Sequence, residues 1–417
     1  MNKEKNYLQE REKTLTPLLA IEEASRCLLC HDAPCSKACP AESDPAKFIR
    51  SLRFRNIKGG VETIRENNIL GGICARVCPT TKYCEGACSR CGIDKPIQIA
   101  KLQRYLTEYE EVTGFKVLEA VEITKEPVAI IGSGPSGLAA GTELALKGYD
   151  VTIFEQQTNL GGWLSYGIPP ERLPQSVVDH EIQYIKDLGV KFKTNQKLGR
   201  DFSIDDLKSQ GFKAILIAIG MQNSKMVDIP GIDLNGVLKG TDYLSQAKST
   251  TGDVNLGEHI VVIGGGDVAI DCAVTSKLLG CDDVKIVYRR TLEKMPADPI
   301  EKTHLQSLDI PVFTGFKPSE IVGNNGNVTN FKATGMFDNS IIDLPVDRVI
   351  FAIGQEADDV NALANVSLKD NYESSEDGIF AAGDIIDGDK TVVYSVKQGK
   401  DVAKKIDEYL SNNGGRK

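Results

Sequence analysis

Two segments of this chain share one plan, and no other feature narrows the fold as much. PVAIIGSGPSGLAAGTELALKGYDVTIFE spans 127–155, and HIVVIGGGDVAIDCAVTSKLLGCDDVKIVYRR spans 259–290. Each reads as an apolar strand, a glycine-rich turn, a helix and a second strand, which is the opening unit of a dinucleotide-binding fold. Two further apolar strands end at AIG, 218–220, and FAIG, 351–354, and read as returns from one domain to the other. The simplest layout places one domain at 126–225 and 345–417, with a second, 226–344, inserted into it. Residues 1–125 have a different texture, helical and interrupted by cysteine-rich loops. In SDPAKFIRSLRFR, Ser43 or Asp44 is the expected helix cap, with Pro45 in the first turn.

In the first unit, Gly132, Gly134 and Gly137 form G-x-G-x-x-G. The first glycine permits the tight turn, the second lets a pyrophosphate approach the backbone, and the third lets helix and strand pack closely. Glu155 closes the next strand, where a carboxylate accepts a ribose hydroxyl. A distant segment, Gly378-Ile-Phe-Ala-Ala-Gly383-Asp384, runs a strand into a glycine turn and an acid. It resembles the second signature of two-dinucleotide flavoproteins of the thioredoxin reductase class, so FAD is the expected occupant; a surface turn is the alternative. In the second unit, Gly264, Gly266 and Ala269 form G-x-G-x-x-A, and Asp267 follows the second glycine. No acid ends the following strand: Tyr288 stands there, with Arg289 and Arg290 after it. Guanidinium groups there suit a 2'-phosphate, so NADPH is expected to serve at least as well as NADH. The alternative is that both arginines are solvated or pair with nearby acids.

The chain has 11 cysteines, nine of them between Cys27 and Cys91. Cys27, Cys30, Cys35 and Cys39 are spaced C-x2-C-x4-C-x3-C-P, and Cys74, Cys78, Cys84 and Cys88 are spaced C-x3-C-P-x4-C-x3-C. Soft thiolates at such density suit iron or zinc. Two zinc ions are the alternative, but zinc moves no electrons and the chain already holds two redox nucleotide sites. Two [4Fe–4S] clusters are therefore the coherent expectation. Spacing alone leaves the ligands open, with nine cysteines for eight places and His31 beside Cys30. The expected fold is a mostly helical N-terminal iron–sulfur domain followed by two α/β Rossmann-like dinucleotide-binding domains, the second inserted into the first.

The rest of the 417 residues is ordinary, with 41% hydrophobic and 26% charged residues. A net charge of -9 and no basic patch argue against nucleic acid as a partner. No apolar run reaches the length of a membrane span. The N-terminus MNKEKNYLQEREK is too polar and acidic for a signal or transit peptide, so a cytoplasmic location is expected.

Nearly the whole chain resembles a known family. The motifs are SRCLLCHDAPCSKACP, GGICARVCPTTKYCEGAC, IGSGPSGLAA, GGWLSYGIPPERLPQSV, VVIGGGDVAIDCA and FAAGDIIDGDKTVVYSVKQGK. It is similar to the NAD(P)H-handling subunit of bacterial dihydropyrimidine dehydrogenase, and to the N-terminal half of the long single-chain form. It is similar, less closely, to the glutamate synthase small subunit. The resemblance implies Cys27, Cys30, Cys35 and Cys88 as ligands of one cluster, and Cys39, Cys78, Cys84 and Gln103 as ligands of the other, leaving Cys74 and Cys91 free. It also adds Gly162, in GGWLSYG, to the cofactor-binding residues, and sets Lys397 and Asp384 near the flavin.

The resemblance further implies electron flow between NAD(P)H and a partner, through FAD and the clusters, in the interconversion of uracil or thymine and 5,6-dihydropyrimidines. The pyrimidine chemistry needs an FMN barrel of about 250 residues, for which this chain has no room. The expected partner is an FMN-containing, iron–sulfur, pyrimidine-binding catalytic subunit in a heterotetramer. No general acid or base is named among the residues here. A glutamate synthase-like electron-input subunit is the competing reading. A non-enzymatic cluster scaffold is a third, and two complete nucleotide sites speak against it.

Overall fold

The computed structural model describes residues 7–360, 364–369 and 371–413. The chain divides into two compact units. The larger comprises Glu12–Ser165, Gln175–Gly220 and the chain from Ala357 onward. The other comprises Met221–Glu356, Tyr166–Pro174 and the segment ending at Arg11.

The larger unit begins with helices α1 (Pro17–Ser25), α2 (Pro45–Arg53), α3 (Ile57–Asn67), α4 (Gly71–Val77) and α5 (Ile99–Thr113). Local chemistry starts three of them. Thr16 caps α1, Asn56 caps α3, and Asp44 caps α2 with Pro45 in its first turn. Asp44, not Ser43, takes that role: its carboxylate accepts the Lys47 amide at 3.3 Å and the Ser36 hydroxyl at 2.7 Å. The apolar faces of these helices meet in one core, with Phe48, Ile49, Leu52, Val61, Ile64, Leu102 and Leu106 all buried. Each such side chain contributes about 1.5–3 kcal/mol by leaving water. The cysteine-rich loops run between these helices.

The same unit holds a five-stranded parallel sheet of β1 (Pro127–Ile131), β2 (Asp150–Phe154), β3 (Lys191–Lys193), β4 (Ala214–Ile217) and β15 (Ile379–Ala381). Its order is β15-β4-β1-β2-β3. Helix α6 (Pro135–Ala145) follows β1, α7 (Gln175–Asp187) precedes β3, and α10 (Val392–Asn413) packs on α6. Strands β1, β4 and β15 read as apolar runs because a parallel sheet is covered on both faces.

The second unit repeats this design. Strands β6 (Val237–Lys239), β7 (His259–Ile263), β8 (Asp283–Tyr288), β9 (Val312–Thr314) and β13 (Arg348–Phe351) form a parallel sheet in the order β6-β13-β7-β8-β9. Helices α8 (Asp267–Leu278) and α9 (Pro299–Ser307) follow β7 and β8. An antiparallel sheet of β10 (Phe316–Asn324), β11 (Asn327–Gly335) and β12 (Ile341–Pro345) completes the unit. Short strands β5 (Asn223–Ser224) and β14 (Gln355–Glu356) pair where the chain enters and leaves the insert. Strand β13 pairs with β6 and β7 in this second sheet, although the expected boundary at 345 assigns it to the first domain. The physical reason is that both sheets use a central apolar strand ending in AIG, so the pattern does not say which sheet the strand joins. No helix among the described residues is long and apolar enough to cross a membrane.

Candidate cofactor sites

The first glycine-rich turn joins β1 to α6. Gly132 has φ +110°, and a Cβ there would lie 2.3 Å from the Ala218 carbonyl oxygen. A Cβ at Gly137 would lie 2.1 Å from the Gly132 oxygen, so helix and strand meet at backbone contact. Gly134 differs: nothing lies within 4 Å of where its Cβ would be. The open space sits over the start of α6, where backbone N–H groups attract a phosphate. Buried Glu155 faces the loop. One of its oxygens accepts the Ser133 amide at 3.0 Å and the Ser133 hydroxyl at 2.6 Å, and the other accepts the Gln157 amide at 2.9 Å. Gly162, at φ +55°, approaches the Gly134 Cα, 3.1 Å from its own Cβ position.

The distant signature also comes to this loop. Gly383, at φ +83°, donates its amide to Gln398 at 3.0 Å, and a Cβ there would meet the Ser136 hydroxyl at 2.6 Å. Burial holds the Asp384 carboxyl above the usual range. Lys397 pairs with Asp401, one turn along α10.

The second turn joins β7 to α8 with the same sterics. A Cβ at Gly264 would lie 2.2 Å from the Ala352 oxygen, whereas Gly266 is open. Asp267, its carboxyl raised mainly by burial, accepts the Asp298 amide at 2.9 Å. Tyr288 has a packing role. Its ring covers Gly265, 2.5 Å from that residue's Cβ position, and its hydroxyl donates to the Lys294 oxygen at 2.7 Å. Arg289 and Arg290 are exposed, and neither guanidinium forms an ion pair among the described residues.

The cysteines of the first group meet one cysteine of the second. Cys27, Cys30, Cys35 and Cys88 line a single pocket, with Ile49, Ile97 and Ile99 among its walls. Burial pushes the Cys35 thiol up to about 11, helped by Cys88 and Cys27 nearby. The donor set and the shared pocket fit an iron–sulfur cluster. Cys39, Cys74, Cys78 and Cys84 form the other neighbourhood. Burial raises the Cys78 thiol most, and Cys74, Cys84 and Cys39 add to it. Cys74 is pushed up to about 12, again mainly by burial. Gln103 is buried, and its amide nitrogen donates to the Gly71 oxygen at 2.7 Å. Cys91 and His31 are exposed.

The loops of this second group are tied to the first dinucleotide domain. Tyr83 donates its hydroxyl to Asp389 at 2.7 Å, and Lys400 donates to the Ala41 and Asn67 oxygens, each at 2.8 Å. Glu181 accepts the Gly72 and Ile73 amides at 2.6 and 3.2 Å. In the other unit a buried network lies against α8. Arg172 donates to Asp271 at 2.7 Å, and Arg11 grips Glu301 at 3.0 and 2.8 Å. Burial raises Glu171 and Asp271 in this network to about 7 and about 6. The sequence reading missed both networks, because their partners are far apart in the chain and carry no motif.

Two family models match. Residues 3–115 match dihydropyrimidine dehydrogenase domain II, 4Fe-4S cluster, and residues 126–399 match pyridine nucleotide-disulphide oxidoreductase. The thioredoxin reductase of T. acidophilum shares the two-domain fold, with a TM-score of 0.55 at 19% identity over 69% of this chain and 99% of that one. Fold and sites thus define a flavin-dependent pyridine nucleotide oxidoreductase with an iron–sulfur domain ahead of it. The chain is 47% identical over 413 residues to the NAD-dependent dihydropyrimidine dehydrogenase subunit PreT homolog of Salmonella typhi, covering 98% of each. It is 44% identical over 412 residues to the PreT subunit of Escherichia coli K12, again covering 98% of each. The chain belongs to this family of dihydropyrimidine dehydrogenase PreT subunits. The glutamate synthase [NADPH] small chain of Azospirillum brasilense is more distant, at 29% identity over 94% of this chain and 89% of that one.

Proposed function

We propose that this chain is the electron-input subunit of a dihydropyrimidine dehydrogenase, passing electrons between NAD(P)H and a separate FMN-containing, iron–sulfur subunit that binds the pyrimidine. The observation that carries this reading is identity of 44% or more to PreT subunits along almost the full length. Bound FAD exchanges electron pairs with a nicotinamide as hydride, and iron–sulfur clusters take electrons singly.

The chain's own contribution is placement. Gly132, Gly134 and Gly137 shape the cradle that would hold FAD, Glu155 at the strand end would serve its ribose, and Gly162, Gly383 and Asp384 border the same loop. Gly264, Gly266 and Asp267 shape the second cradle, for NAD(P)H, with Arg289 and Arg290 at its rim. Cys27, Cys30, Cys35 and Cys88 hold one cluster, a reading supported by their shared pocket. Cys39, Cys78, Cys84 and Gln103 hold a second, and Cys74 is the neighbouring thiol that does not ligate. The cysteines of the first set are all half-buried, which suits electron exit to a partner. In the second set Cys84 is buried, and the loops beside it are hydrogen-bonded to Asp389 and Lys400 of the flavin domain.

Anaerobic purification with iron, sulfide and flavin analysis tests the cofactor assignment. One FAD and about 8 irons per chain are expected for two four-iron clusters. Stoichiometric zinc without acid-labile sulfide would contradict it.

A further inference from the structure

We propose that Glu181 is a positioning residue for Gln103, acting through the peptide bond that joins Gly71 to Gly72. The inference rests on the reading of Gln103 as the fourth ligand of the Cys39, Cys78 and Cys84 cluster.

The two faces of that one peptide are held from opposite sides. Its N–H, on Gly72, donates to Glu181 Oε1 at 2.6 Å. Its C=O, on Gly71, accepts from Gln103 Nε2 at 2.7 Å. A carbonyl oxygen can only accept, so the carboxamide atom facing Gly71 must be the nitrogen. The oxygen Oε1 is therefore turned away from Gly71, and no hydrogen bond to it forms among the described residues. Gln103 is 7% exposed, so its carboxamide has little freedom to turn over.

Glu181 is itself fixed. Arg65 donates to it at 2.8 Å and to Glu110 at 2.6 Å, and both side chains of the Arg65–Glu181 pair are 1% exposed. A carboxylate accepting from the N–H of a peptide polarises that peptide and strengthens the bond its C=O accepts. The glycine pair is what lets the three groups meet. A Cβ at Gly72 would lie 2.9 Å from Glu181 Oε1, and one at Gly71 would lie 2.5 Å from Ile64 Cγ2. Glu181 lies on α7 and Gln103 on α5, so the peptide at the start of α4 couples two helices that are far apart in sequence.

The test uses the anaerobically loaded full chain and the variants Gln103→Leu, Glu181→Gln and Gly72→Ala. Iron content, thermal unfolding, the EPR spectrum of the reduced clusters and their midpoint potentials are recorded for each. Gln103→Leu is expected to change the spectrum and potential of one cluster. Glu181→Gln and Gly72→Ala are expected to shift that same signal and leave the other as in the parent. Disturbance of both signals together with the unfolding temperature in Gly72→Ala as well as in Glu181→Gln would mean a general loss of structure and would overturn the proposal. If Gln103→Leu changes one signal while both other variants match the parent, the positioning role is wrong and the ligand reading survives. If Gln103→Leu changes neither, the ligand reading fails and this inference with it. Gly72→Ala decides the matter should Glu181→Gln not fold.

Discussion

The two glycine-rich sites begin alike and end differently. In both, the first glycine is pressed against a neighbouring carbonyl and the second faces open space. The difference lies at the end of the following strand. Glu155 is buried and locked onto Ser133 and Gln157. Tyr288 is buried on Gly265, and exposed Arg289 and Arg290 follow it. Around the first site, α10 also packs closely, with Gly399 so near α6 that a Cβ would lie 2.4 Å from the Ser136 oxygen. The steric rule of the turn says that a dinucleotide binds. The strand ends are where the two sites differ. The buried acid fits the proposed assignment of resident FAD to the first site, and the exposed guanidinium groups fit the proposed assignment of a nucleotide that comes and goes to the second.

The largest effect that can break this comparison is a side chain placed in the open space. Gly134→Val should yield protein that loses most of its flavin on purification, read from visible absorbance. Gly266→Val should keep the flavin and weaken nicotinamide use about 100-fold, or about 2.7 kcal/mol, read from KM in dye reduction. Equal flavin loss in both variants would show that the sites do not have separate occupants.

A smaller effect sharpens the strand-end contrast. Replacing Arg289 and Arg290 by alanine should lower kcat/KM for NADPH about 10- to 100-fold, since a charge-assisted pair is worth about 1.5–3 kcal/mol. NADH use should be nearly unchanged. The PreT relatives carry NAD-dependent names, so a tenfold preference for NADH that the double variant leaves unaltered would remove the arginines from nucleotide choice. Smaller still, Glu155→Gln should retain part of the flavin and lower thermal stability. Its amide nitrogen cannot accept the Ser133 or Gln157 amide, which leaves a buried donor unmet at a cost of about 1–3 kcal/mol. Unchanged stability and flavin content would show that the buried acid does not lock the first loop.

What the sequence made legible follows the range of the forces involved. The glycine turns could be read because their steric demands act within a few residues. The cysteine spacings marked the site but not its division, since Cys88 joins Cys27, Cys30 and Cys35 only through the fold. Strand β13 could not be assigned to a sheet, because both sheets use the same kind of central apolar strand. Nothing local announced that Glu181 would accept the amides of α4, or that Arg172 would meet Asp271. Buried ion pairs of this kind are set by tertiary packing, and single charges in amphipathic helices read as solvated until their partners are known.

The central proposal is that this chain supplies electrons to a pyrimidine site on a separate subunit. The most direct measurement is an anaerobic assay of the purified chain with NADH or NADPH and uracil, alone and mixed with an FMN-containing iron–sulfur partner, with a dye acceptor as control. The account predicts dye reduction by the chain alone and uracil reduction only in the mixture. Uracil reduction by the isolated chain would contradict it, and so would electron transfer only to a glutamate-forming partner.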